Sequence, residues 1–215
     1  VTHAANAPTV LSILAISGSL RAGSANGAIV DAAEQLAPVG TSVFVYDQLG
    51  ELPMFNPDLE VTAPPAAVTV WRESLQTASA VLISSPEYAH GVPGVLKNAL
   101  DWVVGTGEFM GKPIALITAS AHSSYVVAQL TETLSVMMGD VVIATALTFA
   151  QRPSTAAEVL ADEGARAGLV DALEILAAAA RNVAMRETAE REAAAREAAE
   201  RDALPNDEPR RLIPR

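Results

Sequence analysis

The stretch that decides the fold is residues 10–26, VLSILAISGSLRAGSAN. Residues 10–16 are a short aliphatic run without helical period, the signature of a strand buried on both faces. The run stops at Ser17 and Gly18. From Ser24 onward, Ile29, Val30, Ala33 and Leu36 recur at helical spacing until Pro38 and Gly40 end the pattern. Between strand and helix lies a turn of small residues around one arginine. Small residues let a backbone come close to a ligand. Ser19, Ser24 and Asn26 bring hydrogen-bond donors, Arg21 brings a forked permanent cation, and the helix start brings free amides. A doubly charged phosphate fits that donor set. The turn has neither the GxGxxG pattern nor the Gly-Lys-Ser/Thr ending of other phosphate loops.

The same rhythm continues downstream. Residues 42–46 (SVFVY), 80–84 (AVLIS), 113–118 (PIALIT) and 141–146 (VVIATA) read as further strands. Helices are expected over 68–77 and over 93–104, the latter with proline in its first turn, where the missing amide donor costs nothing. Val126, Val127, Leu130, Leu134, Met137 and Met138 mark another helix face. Leu169, Val170, Leu173, Leu176 and Ala180 mark the last core helix. Residues 52–65 hold four prolines and no period, and read as loop. Alternating strands and helices imply a parallel sheet covered on both faces, with right-handed crossovers. Five such strands suit a flavodoxin-like three-layer α/β/α sandwich of order 2-1-3-4-5. In that order a ligand sits outside the carboxyl ends of strands one and three, where the winding reverses.

Composition narrows the chemistry. Half of the 215 residues are apolar but only 4% are aromatic, so aliphatic and alanine packing must build the core. A net charge of −11 argues against nucleic acid or an anionic membrane as partner. The chain has no cysteine, which excludes thiol redox chemistry and thiolate metal sites. Redox work would need a cofactor. No metal-ligand spacing such as HExxH is present.

After the third strand comes a second loop, Ser85-Pro86-Glu87-Tyr88-Ala89-His90-Gly91-Val92, followed by Pro93-Gly94-Val95-Leu96-Lys97-Asn98-Ala99-Leu100-Asp101-Trp102. Ser-Leu-Arg-x-x-Ser-x-Asn followed by Pro-Glu-Tyr and Pro-Gly-x-Leu-Lys-Asn-Ala-x-Asp-Trp resembles the NADPH-dependent FMN reductase family, which includes quinone, chromate and azo-dye reductases. The likeness runs from about residue 10 to about residue 180. It implies that Ser19, Arg21, Ser24 and Asn26 hold the FMN phosphate. It places Pro86, Glu87, Tyr88 and Ala89 along the flavin ring, partly through backbone groups, and Ser120 and His122 in the loop bordering its far side. It also places Lys97, Asp101 and Trp102 near a dimer seam. Other readings stand beside these. Lys97 and Asp101 suit a surface ion pair, Trp102 an ordinary core position, Tyr88 a rim position, Glu87 a turn acceptor, and His122 an exposed helix start.

The pattern departs from the family at three points. Asparagine commonly follows Pro-Glu-Tyr, and here it is Ala89. A basic or bulky residue commonly follows Asn26, and here it is Gly27. The loop after the fourth strand, usually rich in glycine, reads Ala119-Ser120-Ala121-His122-Ser123-Ser124-Tyr125.

The resemblance implies an enzyme that passes electrons from NADPH or NADH through bound FMN, by a ping-pong route, to a quinone, azo compound, metal oxyanion or free flavin. No side chain is then needed as a nucleophile, and no metal. The alternatives are a flavodoxin-type electron carrier and a family member that has lost flavin and serves a binding role. A homodimer or homotetramer is implied in the same way. Residues 1–8 lack the basic start and apolar core of a secretory leader, and no apolar run reaches transmembrane length, so a soluble cytoplasmic protein is expected. The expected organisation is an N-terminal tail over 1–9, a flavodoxin-like FMN-binding reductase domain over 10–181, and a charged helical extension with a disordered tail over 182–215. Residues 185–203 are almost wholly Ala, Glu and Arg, with Glu192/Arg196 and Glu197/Arg201 at favoured i,i+4 polarity.

Overall fold

A computed structural model describes residues 10–60 and 63–203; the expected tails over 1–9 and 205–215 lie outside the described residues. Five strands, β1 (Leu11–Ser17), β2 (Thr41–Tyr46), β3 (Ala80–Ser84), β4 (Pro113–Thr118) and β5 (Asp140–Ala146), form one sheet in the order β2-β1-β3-β4-β5. Every pairing is parallel. The fold is therefore the expected doubly wound, flavodoxin-like one. The inner strands β3 and β4 are buried at every residue, because helices cover both of their faces. The outer strand β5 has only partly buried and exposed residues.

The helices are α1 (Ala25–Gln35), α2 (Ala66–Thr77), α3 (Gly94–Asp101), α4 (Ser124–Val136), α5 (Ala156–Ala161) and α6 (Glu163–Ala203). They divide the core into two layers of different chemistry. Under α2, α3 and α4 lie Trp71, Trp102 and Phe109 among leucines and isoleucines. Under α1, α5 and α6 the core is aliphatic and alanine-rich, with Ala28, Ala32, Ala33, Ala172 and Leu173 all essentially inaccessible. Alanine there lets the helices lie close to the sheet, as the low aromatic content requires.

Three local findings refine the expectations. Residues 52–65 include a 3-10 turn over Pro57–Glu60. Met138 is not part of the α4 face: it takes a left-handed φ of 60° and is exposed, because the chain must reverse there to enter β5. The short helix α5 escaped the sequence reading. Its start is a capping box in which the Thr155 hydroxyl accepts from the Glu158 amide and the Glu158 carboxylate accepts from Thr155. In α6 the core-facing part and the charged part are one unbroken helix, exposed throughout 185–199. Glu187 pairs with Arg191 and Glu197 with Arg201 along it.

Candidate functional site at the carboxyl edge of the sheet

Three loops leave the carboxyl ends of β1, β3 and β4, on both sides of the point where the winding reverses. The β1–α1 and β3–α3 loops touch through Gly18. Its amide donates to Ser84 O at 2.8 Å, and a Cβ there would stand 2.9 Å from Ser85 Oγ and 3.2 Å from Leu96 Cδ2. Only glycine permits that approach, and it locks the end of β1 to the start of the β3–α3 loop.

The β1–α1 loop is organised by its own atoms. Ser17 Oγ donates to Ser19 O at 3.2 Å, and the Arg21 amide reaches Ser19 Oγ at 3.4 Å. Arg21 Nη2 donates to Gly23 O at 3.0 Å, which folds the guanidinium back over the turn. Gly23 takes a left-handed φ of 63°, natural for glycine alone. Ser24 caps α1: its Oγ accepts from the Gly27 amide at 2.9 Å, and its carbonyl accepts from Ala28 at 2.9 Å. The amides of Ala25 and Asn26 precede that first intrahelical bond, and both residues are buried. Asn26 is buried, and its Oδ1 accepts from Ser84 Oγ at 3.0 Å, tying α1 to the end of β3. Ser19 and Arg21 remain the accessible side chains. A groove of about 290 Å³ opens beside them, bordered also by Asp31, Asp47 and Ser154.

The β3–α3 loop is organised by its neighbours instead. Ser85 and Pro86 are buried, and Ser85 Oγ donates to Pro86 O at 3.0 Å. Glu87 Oε2 accepts from the amides of Tyr125 at 2.9 Å and Val126 at 3.0 Å, so its carboxylate caps the start of α4. Tyr88 and Gly91 exchange backbone hydrogen bonds of 3.1 and 2.9 Å around a two-residue turn. The turn residues Ala89 and His90 both have left-handed φ, 49° and 60°. Such a turn normally takes Asn-Gly, so alanine and histidine hold it under strain. The strain is held from outside. His90 stacks on Tyr125 with ring centroids 4.2 Å apart and planes 12° from parallel. Gln129 of α4 donates to His90 O at 3.0 Å and accepts from the Val92 amide at 3.3 Å. Tyr88 is 55% exposed, at the rim.

In the β4–α4 loop, Thr118 Oγ1 donates to Ser120 O at 2.9 Å and the His122 amide reaches Ser120 Oγ at 3.2 Å. The His122 side chain is exposed and makes no hydrogen bond among the described residues. The site residues named from sequence thus fall on three adjoining loops. Lys97 and Asp101 form an ion pair on the outer side of α3. Trp102, expected near a seam between subunits, is buried in its own chain, where its Nε1 donates to Pro53 O at 2.8 Å. Asn98 joins that contact, accepting from the Phe55 amide at 2.7 Å. The sequence reading missed Ser154 and Gln129, and gave Asn98 no role beyond its place in the motif after Pro93. Only Ser154 had a local signal, the Thr155-x-x-Glu158 box beside it.

A β1–α1 turn with donors for a phosphate, set beside a backbone-rich loop at the switch point, defines a flavodoxin-like protein with a mononucleotide-type site. The sequence model of the family described as NADPH-dependent FMN reductase matches residues 11–153. The chain belongs to that family. An NAD(P)H-dependent FMN reductase of Pseudomonas aeruginosa is 43% identical over 113 residues, 52% of this chain and 60% of that protein. A quinone reductase of Pseudomonas putida is 38% identical over 114 residues, 52% of this chain and 61% of the other. The matches thus span about 60% of the length of these curated relatives. Among solved structures, FerB of Paracoccus denitrificans, titled a flavoenzyme NAD(P)H:(acceptor) oxidoreductase, has 26% identity and a TM-score of 0.57, covering 77% of this chain and 98% of FerB. Among the described residues, no helix is long and apolar enough to cross a membrane.

Proposed function

We propose that the protein is an FMN-dependent NAD(P)H oxidoreductase whose electrons go to a small acceptor of the quinone, azo, metal-oxyanion or free-flavin class. The observation that carries this reading is the junction at Gly18, which sets a phosphate cradle directly against the loop that would flank a flat ring. The donor set fits a phosphate monoester: Ser19 Oγ, the Arg21 guanidinium, and the protons left on Ser24 and Asn26. FMN, when bound, supplies the electron-transfer chemistry. The chain's own part is to hold, orient and shield. The cradle fixes the phosphate, and Pro86, Glu87, Tyr88 and Ala89 border the ring through backbone groups held rigid by α4. Ser120 and His122 border it from the third loop, with the exposed His122 free to meet a substrate. NADPH or NADH and the acceptor then use the same open side in turn. Membership of a reductase family and the arginine in the cradle favour this over a flavodoxin-type carrier.

Assembly as a homodimer or homotetramer and a cytoplasmic location belong to the same proposal. A chain without cysteine suits a reducing compartment, and light scattering tests the assembly. The deciding experiment is an absorbance spectrum with and without added FMN. Flavin bands that bleach on adding NADPH under argon support the enzyme. Bands that persist until a partner reductase is supplied support the carrier. A protein that takes up no FMN removes both.

A further inference from the structure

We propose that Arg152 is a second cation for the phosphate monoester held at the β1–α1 loop; the inference rests on reading that loop as a phosphate cradle. The argument starts from the charge around the cradle. Among the described residues, Arg21 is the only basic side chain bordering the groove, and Asp31 and Asp47 border it too. Burial and the neighbouring Glu34 raise the pKa of Asp31. A dianion meeting one guanidinium and two carboxylates, on a chain of net charge −11, is poorly compensated. A second cation is what the site lacks.

Topology supplies one from a distant part of the chain. Beyond β5 the chain leads to α5, which packs on α1. Pro153 is buried, and Ser154 borders the cradle's groove. A Cβ on Gly23, at the heart of the cradle, would lie 3.6 Å from Ser154 Cβ. Arg152 stands two residues before Ser154, so its Cα lies at most about 7 Å from that of Ser154, within reach of the groove for a long side chain. It is exposed and has no acidic partner among the described residues. The segment is also preset. Glu158 Oε2 accepts from the Ser154 amide at 2.6 Å, Ser154 Oγ at 3.0 Å and the Thr155 amide at 3.2 Å. Those bonds hold residues 154–155 in place before any ligand arrives, so little ordering cost attaches to the contact. They also engage the one acidic side chain within this turn.

Two ligands carry the chemistry: the 5′-phosphate of FMN and the 2′-phosphate of NADPH. Fluorescence titration of Arg152→Ala and Arg152→Lys with FMN and with riboflavin, and calorimetric titration with NADP⁺ and NAD⁺, separates them. For the 5′-phosphate, Arg152→Ala weakens FMN about tenfold, the scale of one charge-assisted hydrogen bond, and leaves riboflavin unchanged. If instead FMN is unchanged and NADP⁺ weakens by about the same factor while NAD⁺ does not, Arg152 serves the 2′-phosphate away from the cradle, and the proposal is overturned. Arg152→Lys keeps the charge and loses the fork, so it falls between. Affinities all within about twofold of wild type, less than half a kcal/mol, overturn the role of Arg152 while leaving the cradle standing. A wild-type protein that binds no FMN overturns the cradle, and this inference with it.

Discussion

The β1–α1 and β3–α3 loops border the same corner of the sheet but are stabilised in opposite ways. The first is closed by its own short-range bonds, Ser17 to Ser19, Arg21 to Gly23 and Ser24 to Gly27, and leaves a guanidinium at the surface. The second is closed by α4, through Glu87, Gln129 and the His90–Tyr125 stack, and it spends its side chains on being held. The first therefore offers side chains to a ligand, and the second offers backbone. Substitutions in the first should change binding and spare stability; substitutions in the second should cost stability first.

The largest expected effect is on binding. Arg21→Ala should weaken FMN at least tenfold, about 1.5–3 kcal/mol for a lost charged hydrogen bond. Because Arg21 is exposed, its urea midpoint should move by no more than about 0.5 kcal/mol in stability. A large loss of stability with FMN affinity intact would reverse the contrast between the loops.

Next comes Glu87→Ala, which strips the cap from Tyr125 and Val126. Loss of such a cap costs about 1–2 kcal/mol, read as a lower urea midpoint without ligand. Glu87→Gln keeps an acceptor and should lose roughly half of that. If Glu87→Ala leaves the midpoint in place and abolishes FMN uptake, the carboxylate belongs to the ligand and not to α4.

The third effect is a gain. Ala89 in the left-handed region costs about 1–2 kcal/mol, and glycine returns about 0.5–1 kcal/mol of it as extra unfolded-state freedom. Ala89→Gly should therefore stabilise the protein by up to about 1 kcal/mol, and Ala89→Asn by less. The position where the family commonly has asparagine, a residue that tolerates this conformation, is thus a backbone position here. A destabilised Ala89→Gly would mean that the turn is not strained.

The same contrast explains what could be read from sequence. Strands β1, β3 and β4 were legible because burial on both faces writes an unbroken aliphatic run. The first loop was legible because its bonds span two or three residues, so its donors stand together in the chain. The second was legible only as a motif. Its holding bonds join residues 38 and 39 apart, Glu87 to Tyr125 and Val126, and no local pattern encodes such a partner. For Trp102 the sequence allows a place near a subunit seam or an ordinary core position; its burial and its bond to Pro53 depend on where the 49–60 segment folds back. Helix α5 has six residues and buries only Val159, too little for a hydrophobic period to form. Met138 satisfied the period of α4 but not its backbone.

The smallest effect concerns the segment carrying Ser154, which reaches the first loop from far along the chain yet is closed by local bonds, like that loop and unlike the second. Hydrogen bonds from Ser154 and Thr155 lower the pKa of Glu158 below the ordinary glutamate value. A carboxylate whose folded pKa is lowered adds stability above its unfolded pKa, about 4.3, and loses it as the pH falls through the folded value. The stability difference between wild type and Glu158→Gln, measured by urea unfolding, should therefore be present at neutral pH and shrink through the acid range. The exposure of Glu158 keeps it small. A difference that stays constant with pH would mean that the charge of Glu158 plays no part in fixing the turn, and that shape alone brings Ser154 to the cradle.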